Sequence, residues 1–505
     1  MLRKPEYSTP HIDEIAKCSV RFDSCFVTNP VCMPNRASLM TGRMPSAHGV
    51  RSNGIPLNLR HRTFVESLRD SGYRTALVGK AHFQPMSDIP PTRSIPVDHL
   101  GNVFEAEHNN FHSNEYECES SSNWRSDPHH DMALPYYGFE TVHLCTDHGD
   151  EAGGEYGRWL ASQHSNPDSL RGPENVIPDS RIITRQSWRT RMPEELYPSS
   201  YVGRKAVEFI EKQKGSTQRF FLQVSFPDPH HPFTPPGRYW DMYDPASLPA
   251  PSSFEKGDST MLRHMRNELR RDGSFRFQKD IFRTFAVTER EARETIALTY
   301  GMISMIDDQV GLIMSALKKA GLDSNTVVIF MSDHGDYMGD HGIMLKGPLH
   351  YRGLIRTPLL WRDPALTSFS TVNSLVSTID ISASILDRAN VSPYYGFQGR
   401  SFITQLLNQV AATRPSVLVE DDRERVFLGF DQTQRIRTIV TERFRFTMFR
   451  PSGVMELFDL QEDPDENDNL AHDKSRERVM NELKGEMLDH LIARDDPTPL
   501  PIRLG

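Results

Sequence analysis

The sequence predicts an α/β fold: a central mixed, mostly parallel sheet sandwiched by helices, followed by a smaller α+β unit. Three observations carry this. Short β-rich runs alternate with helical patterns through most of the chain, as in successive βαβ units. One run, "TVVIFM" from Thr326, is continuously apolar, the pattern of a strand covered on both faces. After about Pro393 the pattern changes to "PSVLVEDD", "RIRTIVTE" and "RFRFTMFR", which read as antiparallel strands ahead of a last helix.

The elements follow in order. A helix around "FVESLRDSG" ends at Gly72 and leads into the strand "YRTALVGK". Helical "RKAVEFIEKQ" precedes the apolar strand "RFFLQVSF". Thr288 and Glu291 form a capping box, and Ile296, Ile303, Ile306, Val310, Ile313 and Leu317 follow at helical spacing. Lys318 and Lys319 suit the negative end of that helix, and Gly321 suits its left-handed cap. Residues 84–200 are rich in Ser, Pro, Asn and His and read as a long excursion over the sheet, with one strand-like island at "TVHLC". Phe254 to Phe285 is basic and predicted helical, a candidate lid. The last helix places Met480, Leu483, Met487 and Leu491 on one face. The expected division is a unit of residues 1–400 and a small antiparallel-sheet-plus-helix unit of residues 401–505.

The 505 residues suffice for a large buried core. A formal charge of −9 argues against a general nucleic-acid or membrane-surface binder, which would need a basic face. No run of about eighteen apolar residues exists to span a membrane. The five cysteines, Cys18, Cys25, Cys32, Cys118 and Cys145, have neither a disulfide-framework nor a zinc spacing. Together with the lack of a signal-like apolar segment in "MLRKPEYSTPHIDEIAKC", they point to a reducing, cytoplasmic setting.

Chemistry concentrates in a few clusters. In "VCMPNRASLMTGR", Cys32-x-Pro34-x-Arg36 opens a helix. By itself this also describes a buried cysteine ahead of a Pro-started helix. With Ser38, Thr41 and Gly42 it completes Cys-x-Pro-x-Arg-x-Ser-x-x-Thr-Gly. "SDHGDYMGDHG" follows the apolar strand directly, where open α/β sheets place their active crevice. There Asp333 and His334 offer an oxygen and a nitrogen to a divalent cation. Alone, such a pair in a Gly-rich turn also describes a plain turn.

The Cys32 motif resembles the signature of the type I sulfatases. The second cluster, continued by "KGPLHYRGLIRTPLLW", is similar to that family's second signature. "VGKAHF", "FPDPHHPFTPP" and the closing "LFDLQEDPDENDNLA" resemble further family elements, so the likeness covers nearly the whole chain. "PYYGFETVHLCTDHGDEAGGEYGRWL" looks like a segment of bacterial-type sulfatases and phosphonate monoester hydrolases. The resemblance implies an alkaline-phosphatase-like fold and sulfate ester hydrolysis. It implies oxidation of Cys32 to formylglycine by a formylglycine-generating enzyme that reads Cys-x-Pro-x-Arg. Hydrated formylglycine is a geminal diol: one hydroxyl attacks sulfur and the other later collapses to expel sulfate.

By the same resemblance Arg36 is the positive neighbour of the nucleophile, and Asp333 and His334, with residue 32, hold the metal. Lys80 and Lys346 grip the transferred group, and His82 orients or deprotonates the diol. His230 donates to the substrate or leaving group, with His231 facing solvent. Calcium is expected first, with manganese and magnesium as alternatives. A small-molecule or saccharide sulfate ester is the expected substrate, and phosphonate monoester or phosphodiester hydrolysis is the alternative activity. Histidines 99, 108, 112, 129 and 130 show no ligand spacing, and assembly into an oligomer is left open. One departure stands out. Sulfatases begin with an apolar strand ending in an Asp pair, some tens of residues before a Thr-Pro-x-x-Asp stretch. Here Thr9-Pro10-His11-Ile12-Asp13 has only eight residues ahead of it. The expectation is a metal-binding strand encoded upstream, the other reading being an amino-truncated inactive form.

Overall fold

The computed structural model describes residues 7–90, 111, 113–257, 262–263, 266, 284–366, 371–408, 414–427 and 430–503. Most of the candidate lid lies outside these residues, as do His99, His108 and His112. In chain order the longer strands are β1 (Val20–Phe26), β2 (Arg74–Gly79), β3 (Thr141–Thr146), β4 (Phe220–Ser225), β5 (Val328–Met331), β6 (Arg356–Arg362), β7 (Ser416–Asp422), β8 (Arg435–Thr441), β9 (Phe444–Arg450) and β10 (Met455–Asp459). The helices used below are α1 (Pro10–Lys17), α2 (Cys32–Thr41), α3 (Phe64–Asp70), α4 (Pro198–Lys212), α5 (Glu289–Ala320), α6 (Thr378–Arg388) and α7 (Glu477–Ala493).

Two sheets share the centre. In one, β6 lies between β1 and β5 and is antiparallel to both, while Thr371–Val372 and Val376–Ser377 run parallel to β1. In the other, β2 is flanked in parallel by β3 and β4. A third sheet is the antiparallel meander β7–β8–β9–β10. Its inner face packs with Met480, Leu483 and Met487 of α7, as the apolar spacing of that helix predicts. The mixed α/β fold class is therefore as expected.

Local signals act as read. Thr288 and Glu291 make the reciprocal capping box of α5, and Gly321 ends it at φ 72°. Thr63 and Glu66 do the same for α3. At the amino end, the Asp307 carboxylate on α5 accepts the backbone N–H groups of His11 and Ile12 at 3.1 and 2.7 Å, satisfying donors left open by the first turn of α1. Ile12 and Ile15 then pack against Ile306, Val310 and Leu360.

The two central sheets do not join. β4 ends one and β5 ends the other, and no pairing among the described residues links them. Between them lies a cavity of about 930 Å³, lined by Phe221, Val224, Ile306, Val310, Ile329 and Met331 among others. Every residue of β4 and β5 is consequently part-exposed. This corrects the expectation that "TVVIFM" is covered on both faces: its run is apolar enough, but one edge fronts the cavity. The polar end of the cavity reaches Arg36, Lys80 and Asp333.

Candidate active site

Five elements deliver side chains to one point at the carboxyl ends of β2, β3, β4 and β5, where ligands collect in open α/β sheets. Cys32 is the first residue of α2 and is buried. Arg36 stands one turn later on the same face. The α2 head is fixed by Asn35, whose Oδ1 accepts from Thr28 N–H at 3.0 Å and Thr378 Oγ1 at 2.8 Å. The Asn35 amide donates to the Asp333 carbonyl. The meander braces the same region: Glu420 on β7 gives its N–H to Thr28 O, and Arg423 donates to the Gly347 carbonyl.

Cys32 Sγ lies 3.0 Å from His334 Nε2, 3.7 Å from Lys80 Nζ and 3.9 Å from Lys346 Nζ. Burial alone would push this thiol up, but Lys346, Lys80 and His334 outweigh it and hold it well below its ordinary value. Burial lowers Lys80, against the pull of Cys32. The point is thus an anion site built from two lysines. Arg36 is committed elsewhere. Its Nε donates to Asp333 Oδ2 at 2.7 Å, and its NH1 donates to the Lys80 carbonyl at 2.9 Å and to Ser225 Oγ at 3.0 Å.

His82 follows β2 at φ 57°, a left-handed conformation that costs a non-glycine residue energy. The buried Glu119 carboxylate holds it there, accepting the N–H groups of His82, Phe83 and Gln84 at 2.6, 2.7 and 3.0 Å. Burial brings His82 down to about 4, so its ring is neutral at physiological pH. His230 gives its Nδ1–H to the His231 carbonyl at 2.5 Å, which leaves Nε2 facing Lys346 Nζ at 2.7 Å. His231 does not face solvent as expected. It is 6% exposed and stacks on His230 with centroids 4.0 Å apart, because the following Pro-Phe turn folds back into the core.

The structure therefore brings together Cys32, Arg36, Lys80, His82, His230, Asp333, His334 and Lys346. It adds three residues the sequence reading passed over. His148, just beyond β3, takes Lys80 Nζ at 2.8 Å. Asp336 lies near Lys346 and His334, with Oδ1 buried and lacking a hydrogen-bond partner among the described residues. Glu119 is the third. Position at the end of a strand parallel to β2 was the one signal that could have marked His148.

Residues 3–391 match the family model described as Sulfatase. This chain belongs to the sulfatase family. Residues 339–493 also match the model of the N-sulphoglucosamine sulphohydrolase C-terminal region. The chain is similar to the arylsulfatase of Clostridium perfringens, 25% identical over 497 residues covering 97% of this chain and 90% of that one. It is likewise 25% identical to the multifunctional alkaline phosphatase superfamily protein PehA of Trinickia caryophylli, over 98% of this chain and 92% of that one. Among solved structures, a phosphonate monoester hydrolase from Silicibacter pomeroyi superposes with a TM-score of 0.74 at 20% identity. The match covers 98% of this chain and 92% of that one, and it shows the shared fold. The chain is a sulfatase-type hydrolase acting on sulfate esters.

Sulfatases generally carry a divalent metal and a formylglycine, and the residues here fit both. The ligand atoms of Cys32, Asp333 and His334 lie within 4.8 Å of one another. His334 Nδ1 donates to the Gly335 carbonyl at 2.9 Å, so Nε2 is the ring nitrogen turned toward this cluster. The unpartnered Asp336 oxygen adds a hard donor nearby. Cys32 Sγ stands where the formylglycine oxygens would be. The second cluster with metal-like spacing, His11, Asp307 and Asp308, is already spent: Asp307 caps α1, and Asp308 accepts from Arg238 and Tyr239.

Proposed function

We propose that this sulfatase uses formylglycine formed from Cys32, matured by a formylglycine-generating enzyme, to cleave a small-molecule or saccharide sulfate ester with one divalent metal, calcium first. The observation that carries the reading is the convergence of Lys80, Lys346 and His334 on residue 32. Formylglycine would supply a hydrated aldehyde hydroxyl as nucleophile. A metal held by Asp333, His334 and residue 32 would draw charge from the sulfate oxygens.

The other steps belong to the chain's own side chains. Lys80 and Lys346 bind the anionic ester and take up charge as it develops. Neutral His82 accepts a proton from a hydroxyl on residue 32. The Lys346–His230 pair holds a proton between Nζ and Nε2, where a departing ester oxygen can take it. His334, Arg36 and Lys80 together keep Asp333 ionised against its burial, and the Arg36 hydrogen bond aims it at the cluster. Residues 1–400 carry this site, and residues 401–505 brace its loops.

The facing edges of β4 and β5 border the cavity. Both facing edges are unpaired among the described residues. Both strands end at Arg36, through Ser225 and Asp333, so the same guanidinium holds the two sheets together beside the metal donors.

The test joins two measurements on protein from its native host. The mass of the tryptic peptide containing residue 32 reads the modification. Rates on paired aryl sulfate and aryl phosphonate esters, with Cys32→Ala as control, read the chemistry. Formylglycine with faster sulfate turnover supports the proposal. Faster phosphonate turnover moves the substrate class, and an unmodified, inactive chain overturns it.

A further inference from the structure

Two lysine–imidazole pairs stand side by side in this site, and only one of the imidazoles has a role so far. Lys346 Nζ meets His230 Nε2 at 2.7 Å, and Lys80 Nζ meets His148 Nε2 at 2.8 Å. The two rings lie face to face, with centroids 3.6 Å apart and planes 15° from parallel. Both lysines stand within 4 Å of Cys32 Sγ.

We propose that His148 is a positioning residue of the sulfate site. Through Nε2 it aims Lys80 at the reacting group, and through its ring face it fixes the plane of His230. The inference rests on the sulfate-ester reading of the same site.

His148 is built into place. The Asp147 carboxylate before it accepts from Ser121 Oγ at 2.6 Å, pinning the turn after β3. Gly149 after it adopts φ 56°, and a Cβ there would sit 2.9 Å from both the Pro232 carbonyl and Thr234 Oγ1. The His148 turn and the His230 turn are therefore pressed together where only glycine fits. Asp150 N–H also donates to Thr234 Oγ1 at 3.1 Å. The two rings share one rigid wall.

An imidazole suits this task better than the usual lysine partner. A lysine on a four-carbon stem needs an acceptor to point it. A carboxylate in that place would cancel the positive charge that draws the ester and would repel the sulfate itself. Burial keeps His148 neutral, so it orients Lys80 and leaves the charge intact. Its position opposite His230 then couples the group that grips sulfate to the group at the leaving oxygen.

Three variants separate the two jobs. His148→Phe keeps a ring to stack and loses the acceptor. His148→Gln keeps a neutral acceptor and loses the ring. His148→Glu keeps an acceptor and adds the wrong charge. The first readout is calorimetric binding of inorganic sulfate to the unmodified Cys32 form, which needs no turnover. Phe should weaken binding about tenfold, as for losing one hydrogen bond to a charged group. Glu should weaken it at least as much, and Gln should stay within about threefold. The second readout is turnover of aryl sulfates of graded leaving-group basicity. Gln should lose more rate on basic leaving groups than on nitrophenyl sulfate, and Phe should lose similarly on both.

Equal sulfate binding by Phe, Gln and wild type at unchanged melting temperature would overturn the proposal, leaving His148 a packing residue. Sulfate binding in the expected order without turnover of any sulfate ester by the modified wild type would instead strike the functional reading alone.

Discussion

Arg36 Nε donates to Asp333 Oδ2 at 2.7 Å, joining the head of α2 to the tip of β5. The same guanidinium reaches the end of β2 through the Lys80 carbonyl and the end of β4 through Ser225 Oγ. One side chain thus ties both central sheets together at the polar end of the cavity that separates them. Arg36→Ala should destabilise the fold by about 1–3 kcal/mol, because it removes the charged hydrogen bond to the half-buried Asp333 carboxylate and leaves the Lys80 carbonyl without that donor. Arg36→Lys restores charge without the planar fork and should fall between. Urea unfolding midpoints read the series. A lysine variant as stable as the wild type would show that charge alone is what matters.

The cavity itself predicts an asymmetry in core substitutions. Leu360 on β6 is fully buried, so Leu360→Ala should cost about 2–5 kcal/mol. Ile329 on β5 is equally apolar but lines the cavity, so Ile329→Ala should cost less than half as much. Urea unfolding midpoints of the two variants read the difference. Equal penalties would mean that the cavity edge packs as tightly as the core.

Asp228 offers a pH test away from the metal donors. Burial pushes its carboxyl up to about 7, with Ser199 Oγ as a hydrogen-bond donor at 3.0 Å. Below pH 4 both folded and unfolded chains hold the proton, so there is no penalty. Between about 4 and 7 the unfolded chain releases it while the folded chain keeps it, so stability falls as pH rises; above 7 the loss is constant. The difference from an ordinary aspartate corresponds to at most about 4 kcal/mol. Asp228→Asn should flatten this dependence and be more stable than wild type at pH 8. Parallel pH–stability curves for the two proteins would reject the assignment.

The sequence revealed the site where chemistry is local and hid it where contact is tertiary. Cys32, Asp333 and His334 stand at helix and strand ends that periodicity and capping locate, and their motifs have fixed spacing. Thr288, Glu291 and Gly321 mark the limits of α5 because a cap depends on residues three or four apart. His148 meets Lys80 from 68 positions away, inside an excursion without periodicity, so only the pairing of β3 with β2 brings it in. Glu119 is similar: three backbone N–H groups recruit it, and backbone donors leave no mark in a sequence. In "PHHP" the resemblance singled out His230, and only the folded turn shows that His231 is buried beside it. The edge position of β5 was hidden because an apolar run reads the same whether its neighbour strand is present or not.

His334 supplies the last test, because the chain fixes which of its ring nitrogens faces the cluster. Its Nδ1–H is spent on the Gly335 carbonyl, and Nε2, 3.0 Å from Cys32 Sγ, is the nitrogen that would hold a cation. A cation that binds only the folded state stabilises it by about 2.7 kcal/mol at a hundredfold excess over its Kd. A chelator should therefore lower the unfolding midpoint of the wild type, and added calcium should restore it. His334→Ala removes one of the three clustered donors and should be nearly insensitive to both treatments. Manganese and magnesium, titrated in turn against the chelated protein, rank the metals by the midpoint each restores. A wild type that ignores the chelator, with no metal found in it by elemental analysis, would remove the ion from this site and leave the holding of sulfate to side chains such as Lys80 and Lys346.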